Sequence, residues 1–319
     1  MRKGIFIKDI SKEGFEVNDL FVVSKKNIFT GKNNAKYMSI ELKDSTGSIE
    51  GKIWENVDNI NKFFEKNDLV FVKAKMRLYQ GKPQLTVTDV RKFDNEVYLE
   101  DMRAFFPEAE PGIDNLKKDF FQVLNEIEER HIASVFSTLI KKNDILEKFF
   151  LFPASIGVHH AYLGGLLEHS LSMAHMGKHV ADITGADKDI IIAGSLLHDI
   201  GKVEELCVKG GFNYSDRGRL MGHIALGTLM FEELAKEVNG FPEHTSDMLA
   251  HIIISHHGVE EWGSPKKPMS IEALIVHYLD DLDAKVMGVK EHMKENMADE
   301  KWTEYHRLYG SRFYKLPER

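Results

Sequence analysis

The segment Leu196-Leu197-His198-Asp199-Ile200-Gly201-Lys202 places a histidine beside an aspartate within an apolar frame. Adjacent residues of a regular helix point about 100° apart, so these two side chains can converge on one metal only where a helix ends. Gly201 supplies such an ending, because glycine often follows the last residue of a helix. The pair His256-His257, followed by Gly258, repeats the arrangement. Both pairs are therefore candidate metal ligands.

The sequence around these pairs has helical periodicity. Apolar residues recur at helical spacing in six stretches, which are residues 116–127, 166–183, 190–197, 224–238, 248–254 and 271–287. All 15 histidines of the chain lie after residue 130. The second part of the chain is therefore predicted to be all-helical and to carry the ligand chemistry.

Further candidate ligands are His169, His223 and Asp280, each inside or at the end of a predicted helix. Imidazole and carboxylate ligands suit Mn, Fe, Co, Ni or Zn. Cys207 is the single cysteine, which excludes an intrachain disulfide and a cysteine-based zinc cluster. A lone histidine is more often a surface or hydrogen-bonded core residue, so the argument for metal rests on the whole set. The pair His159-His160 is a weaker candidate, which could line the cleft around the metal site.

Residues 15 to 93 predict a small all-β domain. Period-two patterns separated by glycine-containing turns predict strands at 19–29, 37–44, 48–54, 69–79 and 84–93, with a short helix near 57–64. Five strands with a helix after the third match an OB barrel. A small SH3-like barrel is the alternative, which the inserted helix disfavours.

The chain is thus predicted to be multidomain. Residues 97–114 lose periodicity and contain Pro107, Pro111 and Gly112, which is typical of a linker. We expect a β domain over residues 1–96, this linker, and a helical domain over 115–319. No apolar run is long enough for a signal peptide or a membrane span, so we expect a cytoplasmic protein without a membrane partner.

The fourth predicted strand has two chemically distinct faces. Its even positions from 70 to 78 are apolar, whereas its odd positions are Phe71, Lys73, Lys75, Arg77 and Tyr79. Cations flanked by rings suit a single-stranded nucleic acid, because phosphates meet the cations and bases stack on the rings. The alternative is that the lysines protect an exposed edge strand from aggregation. Other side chains that could extend this surface are Lys25, Lys26, Phe29, Lys36, Tyr37 and Trp54.

Charge differs between the two parts of the chain. Residues 1 to 100 hold 18 Lys and Arg against 15 Asp and Glu, while the remainder holds 24 against 35. The mildly basic front part predicts weak, salt-dependent binding of nucleic acid. P-loop, nucleophile-elbow and His-Glu-x-x-His motifs do not occur, which disfavours nucleotide-driven work, serine hydrolysis and zincin-type proteolysis.

The order of a histidine, then His-Asp before Gly-Lys, then Asp280-x-x-Asp283-Ala284 resembles the HD phosphohydrolase superfamily, an all-helical metal-dependent fold. The resemblance implies that His169, His198, Asp199 and Asp280 bind a first metal ion. It also implies that His223, His256 and His257 hold a second ion, with Asp199 bridging both. Lys202 is a candidate catalytic cation for the phosphate, and a solvent-facing lysine at a helix end is its alternative.

An OB-like domain followed by an HD domain, with the segments 164–169 and 222–224 between the metal motifs, resembles the YhaM-type 3′-to-5′ exoribonucleases over nearly the whole chain. This implies trimming of single-stranded RNA, and often of single-stranded DNA, to nucleoside 5′-monophosphates, with manganese or cobalt preferred. Two alternatives stay open: an HD enzyme that acts on small or cyclic nucleotides, and a nucleic-acid-binding protein with a structural helical domain. The sequence leaves the oligomeric state, monomer or homo-oligomer, undecided.

Overall fold

The computed structural model describes residues 3–31, 34–93, 99–156, 160, 162–208, 212–295 and 301–316. The chain divides into two compact units, the first comprising residues 1–108 and 206–216, and the second residues 109–205 and 217–319. The expected boundary at residue 96 lies outside the described residues. Within the predicted linker, residues Leu99–Ala104 form a 3-10 helix. The proposed linear domain boundaries stay a prediction. In sequence, residues 206–216 interrupt the second unit, yet they belong to the first.

Five strands of the first unit close into a barrel. They are β1 (Glu16–Thr30), β2 (Lys36–Asp44), β3 (Gly47–Ile53), β4 (Leu69–Tyr79) and β5 (Lys82–Lys92), and the short helix α1 (Val57–Ile60) lies between β3 and β4. Their order around the barrel is β1-β2-β3-β5-β4, with β3 and β5 parallel and β4 pairing with β1 to complete it. The predicted five strands and the helix after the third are confirmed, and with them the OB-like architecture.

Alternation along each strand fills the barrel with apolar side chains. In β4, Val70, Val72 and Met76 are fully buried, as expected for alternate residues of a strand with one covered face. In β3, Gly51 leaves room for the side chains of the neighbouring strand β5, because a Cβ atom there would stand 3.0 Å from a methyl carbon of Val87. The barrel interior is therefore packed, and any ligand must bind to its outer surface.

A second apolar cluster covers part of the outside of the barrel. Leu20, Val22 and Leu69 pack there with Phe105 of the segment that follows the 3-10 helix. The same unit contains a two-stranded hairpin of β6 (Leu206–Val208) and β7 (Phe212–Tyr214). The ring of Phe212 lies 5.1 Å from that of Phe106. The first unit therefore draws on two separate stretches of sequence.

The second unit is helical, as predicted. Its helices are α2 (Ile113–Leu124), α3 (Arg130–Lys141), α4 (Asn143–Leu151), α5 (Gly165–Thr184), α6 (Lys188–Leu197), α7 (Lys202–Glu205), α8 (Asp216–Lys236), α9 (Glu243–Ser255) and α10 (Ile271–Glu295). Helix α10 packs against α5, α6 and α9, and α6 also packs against α5 and α9. Gly194 permits α6 to approach α9, since a Cβ atom there would lie 2.8 Å from Ile252. Among the described residues, no helix has the length and apolar character that crossing a membrane requires.

Candidate metal centre

The pair His198-Asp199 lies in a turn between two helices. Helix α6 ends at Leu197, and α7 begins at Lys202. The expected helix end is present, but Gly201 has a different role from the one that its position suggested. It is not among the residues with a left-handed backbone, and a Cβ atom there would collide with the carbonyl oxygen of His223. Glycine at this position therefore lets the backbone of α8 lie directly against the turn.

Helix α8 delivers His223 to the site through a break in its own backbone. Gly222 has φ of +72°, a left-handed conformation that interrupts α8 just before His223. The backbone N–H of His223 donates to Oε1 of Glu205 at 2.9 Å, and its Nδ1 lies 3.2 Å from the same oxygen. Glu205 thus orients the imidazole, whose Nε2 points toward Asp199 at 3.4 Å from Oδ1.

The second pair of the sequence lies at the end of α9. That helix ends at Ser255, and the left-handed Gly258 with φ of +76° follows the two histidines. The Nδ1 atom of His256 donates to the carbonyl oxygen of Ile253 at 2.8 Å. The Nδ1 atom of His257 donates to the carbonyl oxygen of Trp262 at 2.5 Å. Both rings are fixed through Nδ1, which leaves Nε2 as the nitrogen for a ligand.

Helices α5 and α10 bring a further histidine and aspartate together. His169 on α5 has its Nε2 3.2 Å from Oδ1 of Asp280 on α10. Its Nδ1 donates to Oδ2 of Asp283 at 2.7 Å, so the ring has a carboxylate on either side. His198 is held in the same way as the α9 pair, because its Nδ1 donates to the carbonyl oxygen of Ser195 at 2.8 Å.

The structure brings all seven expected ligands into one cluster. Two groups have ligand atoms within 4.8 Å of one another: one comprises His169, His198 and Asp280, and the other His223, His256 and His257. Asp199 lies between them and turns a different oxygen to each. Its Oδ2 is 3.3 Å from Nε2 of His198, and its Oδ1 is 3.4 Å from Nε2 of His223 and 3.7 Å from Nε2 of His256.

Several ligand atoms of this cluster lack hydrogen-bond partners among the described residues. They are Nε2 of His198, His223 and His256 and Oδ1 of Asp199. Burying a polar atom without a partner is costly, so such atoms are rare unless a water or an ion completes them. Four atoms that point at one another and carry lone pairs fit divalent metal ions. The imidazole and carboxylate donors favour a transition metal over Mg or Ca.

Neighbouring charges determine the titration of the central carboxyl group. Burial alone would raise the pKa of Asp199, but the Lys202 ammonium and the His198 imidazole hold it well below its ordinary value. Burial lowers the pKa of His256 well below its usual value. Burial would also lower the pKa of His169, yet Asp280 and Asp283 outweigh it and raise that pKa to about 9. Asp199 is therefore an anion and His256 a neutral base, as metal coordination requires.

Lys202 points toward the cluster and not toward solvent. Its Nζ lies 2.5 Å from Oδ2 of Asp199, and its side chain is mostly buried. Burial would lower the pKa of Lys202, but the Asp199 carboxylate raises it above its ordinary value. This places a permanent cation beside the candidate ligands.

A hydrogen-bond network behind His169 was not identified from the sequence. Asp283 accepts from His160 Nε2 at 2.9 Å and from the hydroxyl of Ser172 at 2.5 Å. The hydroxyl of Tyr162 donates to Glu168 at 2.5 Å and lies 2.9 Å from Nδ1 of His160. His160 is therefore a buried member of this network and does not line a cleft, while His159 lies outside the described residues. The motif Asp280-x-x-Asp283 was the available signal, since three residues along a helix share a face.

The five expected nucleic-acid contacts of β4 differ in their exposure to solvent. Lys73, Lys75, Arg77 and Tyr79 are exposed, whereas Phe71 is partly covered by the apolar cluster outside the barrel. Strand β4 is not an edge strand over residues 69–75, because it pairs there with both β1 and β5. The protection of an exposed edge therefore does not explain Lys73 and Lys75.

Three rings form a ladder across the neighbouring strands. Phe29 at the end of β1 stacks on Tyr37 of β2 with 5.5 Å between ring centroids, and Tyr37 stacks on Trp54 after β3 at 5.0 Å. The amine of Lys52 lies 5.5 Å from the Tyr37 ring. Trp54 remains 55% exposed, so one ring face is open to a base. We call Phe29, Tyr37 and Trp54 the aromatic ladder.

Comparisons with known proteins agree with both units. The family model described as the HD domain matches residues 166–285, and that of an OB-fold nucleic acid binding domain matches residues 21–93. The chain is 32% identical to the 3′-5′ exoribonuclease YhaM of Bacillus subtilis (strain 168), across 99% of this chain and 98% of that relative. It is 33% identical to the protein of the same name in Bacillus licheniformis, again across 99% and 98% of the two chains.

Proposed function

Because this chain belongs to the family of the 3′-5′ exoribonuclease YhaM, we propose that it is a metal-dependent 3′-to-5′ exoribonuclease that releases nucleoside 5′-monophosphates from single-stranded RNA. Single-stranded DNA, which differs at the 2′ position, is a second substrate. The observation that carries the proposal is the placement of Asp199, whose two oxygens face two separate histidine groups. A carboxylate so placed is suited to bridge two ions.

We assign the ligands in two sets. His169, His198 and Asp280 would hold one ion, His223, His256 and His257 would hold the other, and Asp199, which faces both groups, would bind to both. Manganese is our proposed metal, with Co, Fe, Ni and Zn compatible with the same donors. When bound, a pair of divalent ions lowers the pKa of water and neutralises charge on a phosphoryl group.

The protein's own groups orient this chemistry. Backbone carbonyl groups fix Nδ1 of His198, His256 and His257, so each ring presents its Nε2 without further ordering. Asp283 performs the same task for His169. Lys202 keeps Asp199 ionised and adds a cation that attracts the phosphate of the scissile bond. Rigid, pre-oriented groups of this kind stabilise developing charge more strongly in a buried site than they would in water.

The barrel is the proposed RNA-binding unit. The cations Lys73, Lys75 and Arg77 meet phosphates, and Tyr79 and the aromatic ladder stack on bases without requiring a particular sequence. Phe71 contributes least, because the apolar cluster covers part of its ring. Such a surface accepts a polymer of any sequence. Because its cations and rings engage several nucleotides at once, it favours a polymer over a small nucleotide as the substrate.

A time course with RNA tests this function. RNA labelled at its 5′ end is incubated with the full-length protein and manganese, and we expect a ladder of products that shorten from the 3′ end. Asp199→Ala abolishes the ladder, whereas Asp182→Ala, which removes an exposed carboxylate on α5, leaves it unchanged. Turnover of small nucleotides without a ladder would assign the chain to the alternative HD activity, and retained trimming by Asp199→Ala would refute the metal assignment.

A further inference from the structure

The last described segment, residues 301–316, forms a hairpin against the helix that carries Asp280. Two antiparallel bridges pair Trp302 with Tyr314 and His306 with Ser311. The N–H of Thr303 donates to the carbonyl oxygen of Phe313 at 2.9 Å. We call this segment the carboxy-terminal hairpin. It lies beyond residue 285, where the match to the HD domain ends.

The hairpin is anchored to α10 by specific contacts. Tyr309 packs so closely on Gly288 that a Cβ atom there would collide with its hydroxyl group. The Nε2 of His292 donates to the carbonyl oxygen of Glu304 at 3.0 Å, and the His292 and His306 rings lie 4.6 Å apart. An arrangement that requires glycine on the partner helix is a fixed docking and not a loose tail.

This docking places the hairpin beside the metal centre. Gly288 is eight residues after Asp280, roughly 12 Å along the helix axis. Asp281, Gly288 and His292 share one face of α10, and that face is adjacent to the one that presents Asp280. The hairpin therefore lies on the catalytic unit within a few nucleotides' reach of the ligands.

The outer surface of the hairpin combines cations with exposed rings. Its basic residues are the exposed Lys301, Arg307 and Arg312 and the half-buried Lys315, against the single acidic residue Glu304, in a part of the chain that is acidic as a whole. Trp302 is 53% exposed and Tyr305 is 56% exposed. A purely solvated surface needs no such rings, and an apolar protein interface would not carry four cations. Both features together suit phosphates and stacked bases.

We propose that the carboxy-terminal hairpin is a second binding site for single-stranded RNA, which holds nucleotides a few positions from the scissile phosphate on the catalytic unit. The inference rests on the proposed exoribonuclease function and extends it. The barrel binds the body of the strand through the β4 cations and the aromatic ladder. The hairpin adds affinity for a polymer close to the metal ions, and it does not contact a substrate as small as one phosphodiester.

The test combines two substrates and a binding measurement. We replace Arg307 and Arg312 by Glu in one variant and Tyr305 by Ala in another. Both are expected to raise KM for an RNA oligomer about tenfold while kcat for bis(p-nitrophenyl) phosphate stays unchanged. The matched control is Lys118→Glu with Lys141→Glu, which reverses two exposed cations on α2 and α3 and leaves both values unchanged.

A binding experiment separates this inference from the proposed function. In the full-length Asp199→Ala background, which prevents turnover, the hairpin substitutions lower the affinity for fluorescently labelled RNA by about tenfold in anisotropy titrations. If the wild type trims no RNA, the proposed function fails but the hairpin is still judged by this affinity. Unchanged affinity and KM would overturn the inference, and a changed molar mass in light scattering with unchanged affinity would assign the hairpin to self-association instead.

Discussion

Asp283 accepts a hydrogen bond from Nδ1 of His169 at 2.7 Å, on the side of the ring opposite to Asp280. A carboxylate in this position fixes the tautomer of a metal-binding histidine and makes its other nitrogen more basic, and therefore a stronger metal ligand. Asp283→Ala should weaken manganese binding about 10-fold to 100-fold. Isothermal titration with manganese measures this, and trimming at saturating manganese should recover.

The control for that experiment is on the same helix. Asp281→Asn breaks an exposed ion pair with Lys285 at 2.7 Å and leaves His169 untouched. Manganese affinity should therefore stay at the wild-type value in Asp281→Asn. If Asp283→Ala binds manganese as tightly as the wild type does, Asp283 has no part in orienting His169.

The two ligand sets predict distinct metal stoichiometries. After dialysis against manganese, we expect two ions per wild-type chain, one in His257→Ala and a loss of both in Asp199→Ala, because Asp199 faces both histidine groups. Elemental analysis counts the ions. His179→Ala, which removes an exposed histidine of α5, should retain two. One ion in the wild type would contradict the bridging role.

Gly201 offers a test of how the site is assembled. In Gly201→Ala the new methyl group meets the backbone of α8 at His223, and relieving that overlap should cost about 1–3 kcal/mol and displace His223. Thermal unfolding measures the loss of stability, and manganese titration should show the weakening of one ion only. Gly185→Ala is the control, because it introduces the same methyl group at a left-handed position with open space around it. This variant should lose stability through backbone strain, and its manganese binding should not change.

The sequence predicted those features that depend on local patterns. The five strands were predicted from the alternation of apolar and polar residues. The end of α6 was predicted because His198 and Asp199 can converge on one metal only beyond a helix end. Roles that depend on contacts between distant segments were not visible. Glu205 orients His223 across 18 residues, and Asp283 meets His160 across 123. The local rule for glycine at a helix end also gave the wrong reason for Gly201, because its contact lies on another helix.

The first unit could not be delimited from a linear pattern for the same reason. The β6–β7 hairpin follows α7 in the sequence, yet its residues belong with the barrel unit. Deleting residues 1–100 would therefore remove the barrel but leave Phe106 and Phe212, whose rings pack together, without the rest of their unit. Point substitutions on the barrel surface are the sounder way to measure its contribution to RNA binding.

The cations of β4 should act through phosphates. Replacing Lys73, Lys75 and Arg77 by Gln should weaken RNA binding and reduce the slope of log affinity against log salt by about 0.7 for each phosphate that the protein no longer neutralises. Anisotropy titrations at several salt concentrations give the slope. Lys62→Gln, with an exposed lysine after α1, should leave the slope unchanged. An unchanged slope in the triple variant would remove β4 from the binding surface.

The aromatic ladder should contribute in a way that salt does not screen. Trp54 is its most exposed ring with a stacked neighbour, so Trp54→Ala should cost about 1–3 kcal/mol of RNA affinity because a base can no longer stack there. The salt slope should stay at its wild-type value, because no cation that meets a phosphate is removed. Trp54→Phe, which keeps a ring on which a base can stack, should recover most of the affinity. Equal losses from Trp54→Ala and Trp54→Phe would show that the indole nitrogen, and not stacking, holds the RNA.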